Sequence, residues 1–307
     1  MVDVALLGTG GMLPLPNRYL TAMMLRYCGK QILVDCGEGT QVAIRNTKFG
    51  YKKIDYICFT HFHADHIAGL PGLLLTIGNS GREEPLTIIG PLGLEQVVKS
   101  LMVIAKEIPY KLKFIEIEKP EDFSCTVFND LLEIKAISLK HGNIQCIGYS
   151  FNVKRVGKFN PEKARLNGVP VEVWSTLQRC ENTTYEGEVY TKNQVLDEER
   201  KGIKVTYGTD SRPFDDFSEF AKDSDLFICE GLYGDDERLF TAQKHNHMIV
   251  SEACKLAKTA KVKELWLTHF SPAFTEPLEY ENFAKELFIG AKIGEDGKSC
   301  TIEFEKN

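Results

Sequence analysis

Apolar and alternating runs of strand length recur from one end of the chain to the other, most of them closed by a turn-forming residue. They predict strands over Val2–Gly8, Thr21–Tyr27, Gln31–Asp35, Tyr56–Thr60, Leu86–Ile89, Leu112–Glu118, Leu131–Leu139, Gln145–Val153, Ile203–Thr209, Leu226–Glu230, Leu265–Thr268 and Thr301–Phe304. Apolar positions spaced three and four apart predict helices over Thr40–Thr47, His66–Gly78, Gly93–Glu107, Pro161–Asn167, Met248–Thr259 and Glu276–Phe288. Short strands alternating with short helices indicate α/β layers. The pattern carries no internal repeat and no low-complexity tract.

One connection is out of proportion. Residues 152–202 are long for a link inside a compact domain. The segment opens with Lys154, Arg155 and Lys158. Asn160, Pro161 and Gly168 then mark a short helix by N-cap, first-turn proline and terminating glycine. Between 152 and 180, six Lys and Arg stand against two acids, a local charge of +4 on a chain of net charge −6. Such a stretch is either an arm that grips a phosphate backbone or a solvated surface subdomain.

Composition then removes several classes. A chain of 307 residues with 43% hydrophobic content can bury the core of one large α/β domain. No apolar run reaches the roughly 18 residues of a membrane span, so none is predicted. The start, Met1 to Leu7, lacks the basic and long apolar regions of a signal peptide and reads as a first strand. Nine cysteines, an odd number without a C-x-x-C pair, fit reduced thiols and a cytoplasmic location, with Cys36 and Cys229 as packing residues. Net acidity argues against an indiscriminate nucleic-acid coat. It permits a nuclease whose positive charge is local, since bound divalent cations add charge that this count omits.

Chemistry concentrates between Thr60 and Leu74, T-H-F-H-A-D-H-I-A-G-L-P-G-L-L. His61 and His63 are two apart after an apolar run, so on an extended chain they share a face and can grip one ion. A turn into helix then swings Asp65 and His66 toward a second. Imidazole with carboxylate suits zinc, with manganese or another divalent ion as a substitute. The other candidates also follow apolar strands: His141, Asp210 and His269. With them the chain offers seven ligands, enough for two ions.

These residues resemble the metallo-β-lactamase superfamily, whose signature is H-x-H-x-D-H followed by further His, Asp and His. Within it, the blocks Leu6-Leu7-Gly8-Thr9-Gly10, Asp35-Cys36-Gly37-Glu38-Gly39-Thr40-Gln41, Gly69-Leu70-Pro71-Gly72-Leu73-Leu74 and Thr268-His269-Phe270-Ser271-Pro272 resemble the ribonuclease Z family of tRNA 3′-processing endonucleases. The resemblance implies a four-layer αββα sandwich over residues 1–307, with the metals at one edge of the sheets. It implies that His61, His63 and His141 hold one zinc ion, that Asp65, His66 and His269 hold the other, and that Asp210 bridges them. Asp65 would also accept the proton of the attacking water. His247, oriented by Glu230, would protonate the leaving 3′ oxygen of a precursor tRNA. Residues 152–202 would be the tRNA-binding arm of a homodimer, and Arg18, Lys154, Arg155 and Lys158 would touch substrate.

Three departures bear on substrate. The family's P-x-K-x-R-N loop is Pro14-Leu15-Pro16-Asn17-Arg18-Tyr19, the Arg and Tyr after the last histidine are Ala273 and Phe274, and the arm lacks a Gly-Pro pair. They motivate an alternative, a hydrolase of the same fold acting on a small phosphodiester, ester or lactone.

Overall fold

The structure, a computed structural model, describes residues 1–105 and 107–305. Position 106 of the helix expected over 93–107, and positions 306 and 307 of the expected domain, lie outside the described residues. The chain divides into two compact units, Met1–Asn152 with Ile203–Glu303, and Val153–Gly202 with the tail from Phe304.

The strands, in chain order, are β1 (Val2–Gly8), β2 (Ala22–Tyr27), β3 (Lys30–Val34), β4 (Ile54–Cys58), β5 (Leu86–Pro91), β6 (Leu112–Ile117), β7 (Ser124–Val127), β8 (Leu132–Leu139), β9 (Cys146–Arg155), β10 (Asn182–Tyr185), β11 (Glu188–Thr191), β12 (Arg200–Gly208), β13 (Leu226–Glu230), β14 (Leu265–Thr268), β15 (Ala291–Ile293) and β16 (Ser299–Ile302). Among the described residues they form two seven-stranded sheets, ordered β16-β1-β2-β3-β4-β5-β6 and β15-β14-β13-β12-β9-β8-β7, and a separate β10-β11 hairpin. The run β3 to β6 is parallel, as is β12 to β15.

Parallel strands need cover on both faces, and burial along them shows it. Every residue of β13 and of β14 is buried. Phe227 and Cys229 of β13 pack into a cluster with Ala253, Cys254 and Ala257 of the helix Val250–Thr259. Leu33, Ile57 and Ile88 of the first sheet pack into another with Leu70, Leu73 and Leu74 of the helix Leu70–Asn79. The alternate residues, among them Ile32, Val34, Val205, Ile228 and Trp266, are equally buried but lie outside both clusters. By the two-residue period of a strand they point the opposite way, into the layer between the sheets. Tyr149 of β9 crosses that layer to donate from its hydroxyl to Phe59 O at 2.7 Å. The result is helix, sheet, sheet, helix.

The helix expected over His66–Gly78 is two helices, Ala64–Ile67 and Leu70–Asn79. The break has a steric origin. Cys36 N–H donates to His66 O and Gly69 N–H to Cys36 O, so the turn after β3 lies directly against this segment. A Cβ on Gly69 would come within 2.2 Å of Gly37 O.

The smaller unit has its own core of Ala164, Val169, Val173, Leu177, Val195 and Leu196, with Phe159 and Trp174 against it. Asn160 caps the helix Pro161–Leu166 by accepting from Lys163 N at 2.9 Å. The helix Val171–Leu177 and the hairpin turned at Glu186 and Gly187, both at positive φ, complete it. Lys154 and Lys158 are exposed. Arg155 instead donates to Glu305 O at 2.7 Å and stacks on Phe304.

Candidate metal centre

The candidate residues gather at one end of the two sheets because each follows the C-terminal end of a strand. Asp35 follows β3, His61 to His66 follow β4, His141 follows β8, Asp210 follows β12, Glu230 closes β13 and His269 follows β14. Asp35, Asp210 and His269 sit at φ of 57°, 60° and 57°. Left-handed backbone at a non-glycine residue costs on the order of 1–3 kcal/mol and persists where its surroundings enforce it. It turns these side chains out of the sheet register at the strand exits.

His66 Nε2 lies 2.9 Å from Asp210 Oδ2, 3.7 Å from Asp65 Oδ2 and 3.3 Å from His269 Nε2. His269 Nε2 lies 2.9 Å from Asp210 Oδ1 and 3.4 Å from Asp65 Oδ2, and His61 Nε2 lies 3.6 Å from Asp210 Oδ2. One ligating atom each from His61, His63 and His141 falls within 4.8 Å of the others, and so do those of Asp65, His66 and His269. Asp210 groups with His61 and His66 in the same way. The two sets open on a cleft of about 490 Å³ lined by His63, Asp65, His141, Asp210, His247 and His269.

Several polar atoms of these residues are buried with no hydrogen-bond partner: His61 Nε2, His141 Nδ1, Asp210 Oδ1 and His269 Nδ1. A buried polar atom without a partner costs about 1–3 kcal/mol. Asp210 Oδ1 lies 2.9 Å from His269 Nε2, a contact that is a hydrogen bond only when that nitrogen carries a proton. Such a donor set fits divalent metal.

Electrostatics agree. Burial alone would raise the carboxyls, but His269 and His66 hold both Asp65 and Asp210 well below the usual carboxylate range. Burial disfavours charge on His269, and the Asp210 and Asp65 carboxylates override it, lifting it to about 10. His66 is likewise held high, against burial, by Asp210 and Asp35. His61, where desolvation dominates and His66 adds repulsion, is driven well below its ordinary value. The carboxylates demand positive charge that protons on adjacent imidazoles supply only against mutual repulsion.

Beside the cluster, His247 Nδ1 lies 2.9 Å from Glu230 Oε2, with both side chains buried. His245 is exposed at the cleft rim. Arg18, expected to meet substrate, donates to Phe274 O at 3.0 Å and Thr275 O at 2.9 Å. It is placed as a clamp on the segment after His269.

Sequence reasoning missed Asp35 as a site residue. Asp35 Oδ2 lies 2.9 Å from His66 Nδ1, and its Oδ1 accepts from Thr60 N at 2.9 Å. Its signal was present, a carboxylate closing a strand inside the Asp35–Gln41 block, but a strand-end aspartate reads first as a turn residue. Met12 N–H, which donates to Asp65 Oδ2 at 2.7 Å, carries no side-chain signal at all.

Two sheets between helices, with imidazoles and carboxylates gathered at the strand exits, define a metal-dependent hydrolase of the metallo-β-lactamase fold. Residues 30–270 match the beta-lactamase superfamily domain. The chain is 53% identical over 307 residues to Ribonuclease Z of Lachnoclostridium phytofermentans, covering 100% of both. It is 52% identical over 310 residues to Ribonuclease Z of Clostridium acetobutylicum, again covering 100% of both. The crystal structure of human tRNase Z, short form, matches with a TM-score of 0.68 at 26% identity, covering 98% of this chain and 100% of that one. The chain belongs to the ribonuclease Z family.

Proposed function

We propose that this protein is the endoribonuclease that removes the 3′ trailer from precursor tRNA, working with two divalent ions, zinc by preference. The observation that carries the reading is the pair of three-residue ligand groups, meeting at Asp210 and flanked by the Glu230–His247 pair, on a chain half identical to Ribonuclease Z over its whole length.

His61, His63 and His141 would hold one ion and Asp65, His66 and His269 the other, with Asp210 between them. When bound, such cations lower the pKa of a coordinated water to about 7 and take up charge developing on the phosphate. Asp65 is oriented by the Met12 N–H and takes the proton of the attacking water. His247 Nδ1 is committed to Glu230, which leaves Nε2 to deliver a proton to the leaving 3′ oxygen. Burial disfavours its protonated form, but Glu230 outweighs burial and raises its pKa, which suits a donor working near neutral pH.

Lys154 and Lys158 on the smaller unit would meet tRNA backbone, with Arg155 and Arg18 as weaker contributors because their guanidinium groups already have partners. Homodimerisation follows from the family reading and is tested by light scattering. Among the described residues no helix is long and apolar enough to cross a membrane, and all nine cysteines are free. Reduced thiols and the substrate support a cytoplasmic location.

The test is cleavage of precursor tRNA, with the cut mapped and bound metal counted. The expected cut lies just past the discriminator base, leaving a 3′-hydroxyl on the tRNA and a 5′-phosphate on the trailer. His63→Ala should lower kcat by about 10²-fold or more, since even an outer partner of a metal ligand contributes about 10–100-fold. No cleavage at low salt, with turnover of small phosphodiesters, would favour the alternative hydrolase.

A further inference from the structure

Ser211 and Arg212 follow Asp210 directly, and their polar groups reach four separate parts of the centre. Lys140 N–H donates to Ser211 Oγ at 3.0 Å and Arg212 N–H to Lys140 O at 3.1 Å, fastening the exit of β8 beside His141. Ser211 N–H donates to Glu230 Oε1 at 2.5 Å, on the carboxylate whose other oxygen holds His247. The Arg212 guanidinium donates to the backbone carbonyl of His247 and forms a two-pronged pair with Glu252, Nη1 to Oε2 at 2.7 Å and Nη2 to Oε1. Glu252 Oε2 also accepts from Ile249 N–H, at the start of the helix Val250–Thr259.

His247 lies in the connection between two helices, where its N–H donates to Ala242 O at 2.9 Å at the end of the helix Leu239–Lys244. Asn246 just before it is left-handed, and the next helix begins only at Val250. The Arg212 fork therefore spans the irregular stretch, taking the His247 peptide on one side and the first turn of the helix on the other. A planar guanidinium can make these parallel bonds at fixed angles, and an ammonium cannot. The Arg212 and Glu252 side chains are 19% and 18% exposed, so the pair is largely shielded from solvent.

We propose that Arg212 is a positioning residue for proton delivery: with Glu252 it fixes the His247 peptide, and so the angle at which the imidazole meets the leaving oxygen. The inference rests on His247 being the donor in the reading above.

Two substrates separate this role from a general one. The 3′ ribose oxygen of precursor tRNA needs a proton to leave, whereas the nitrophenolate of bis-p-nitrophenyl phosphate leaves without one. The readout is the ratio of kcat on precursor tRNA to kcat on the nitrophenyl ester, at equal metal content. Arg212→Met should lower that ratio by about 10–100-fold, less than the 10²–10⁴-fold a whole general acid contributes, with KM for precursor tRNA within about threefold. Glu252→Gln should shift the ratio the same way, and it decides the matter if Arg212→Met does not fold. Arg212→Lys should recover only part of the loss. His247→Ala is the control. If it lowers the ratio while Arg212→Met and Glu252→Gln do not, the positioning role is overturned and the donor assignment survives. If His247→Ala leaves the ratio unmoved, the donor assignment itself fails and takes this inference with it.

Discussion

Asp35 touches no substrate in the reading above, yet Asp35→Asn should disable half of the metal centre. The carboxylate uses Oδ1 for Thr60 N–H and Oδ2 for His66 Nδ1, so Nδ1 is the nitrogen that keeps its proton and Nε2 the one that would give up its proton to present a lone pair to a cation. Nε2 is the atom that faces Asp210, Asp65 and His269. An amide of the same shape can keep the Thr60 bond through its oxygen, and its NH₂ then meets Nδ1 as a donor. His66 is forced into the other tautomer, with a hydrogen on the ligating nitrogen. Changing the outer partner of a metal-bound histidine costs about 10–100-fold in affinity or activity, or about 1.4–2.7 kcal/mol. The assay is competition with a chelating dye, alongside kcat on precursor tRNA. One site should weaken within that range, the other should stay within about threefold of wild type, and kcat should fall with the weaker site. Retention of both affinities would refute the tautomer argument. Equal weakening of both would point instead to collapse of the whole strand-exit region.

Gly11→Ala should lower metal content and kcat at least about tenfold, because the added Cβ would lie 2.6 Å from His269 Cε1. Gly50→Ala, with nothing within 4 Å of its Cβ, should leave both within about twofold. Deleting residues 155–200 should abolish cleavage of precursor tRNA and spare bis-p-nitrophenyl phosphate. β9 and β12 are neighbours in their sheet, so a short glycine linker can rejoin them; equal loss of both activities would refute a separate RNA-gripping role. Chelation should destabilise the protein more at higher pH. In the metal-free centre His269 has its pKa raised to about 10, so its contribution is full below about 6.5 and is lost as pH rises toward 10. Asp65 and Asp210, with lowered pKa values, contribute above the ordinary carboxylate range and lose that only as pH falls well below it. The gap in Tm between loaded and chelated protein should therefore widen from pH 6.5 to pH 9, and a constant or narrowing gap would overturn this account.

Strand exits were the legible part of the sequence, and the reason is physical. β1, β13 and β14 begin and end where the apolar runs do, and the parallel β13 and β14, covered on both faces, are apolar up to the Glu230 and Thr268 that close them. What that periodicity could not show was structure without a buried stripe. The β10-β11 hairpin carries mostly exposed and half-buried polar residues and meets the smaller unit's core through Tyr185 and Tyr190. β7, Ser-Cys-Thr-Val at a sheet edge, and the three-residue β15 are too short to carry a period. The helices Asp215–Ala221 and Leu239–Lys244 each span about two turns or fewer and pack through a few residues.

The site divides along the same line. His61, His63, Asp65 and His66 were legible because their own spacing places them around a common point. His141 and His269 were legible because a rare residue type closed an apolar strand, and Asp210 because the resemblance places an Asp between those two histidines. Asp35 and Arg212 act on other residues rather than on a ligand, through partners 31, 35 and 40 positions away. No spacing rule reaches that far. A residue whose work is to orient another is identified by the bond it makes, so its role becomes visible only once β3, β12 and the Val250–Thr259 helix stand side by side. The same logic explains the left-handed backbone at Asp35, Asp210 and His269. Each is the residue at which a strand stops pairing and must aim a side chain across the sheet edge, and the local cost is tolerated because the neighbouring strands and the bonds among these side chains fix the conformation.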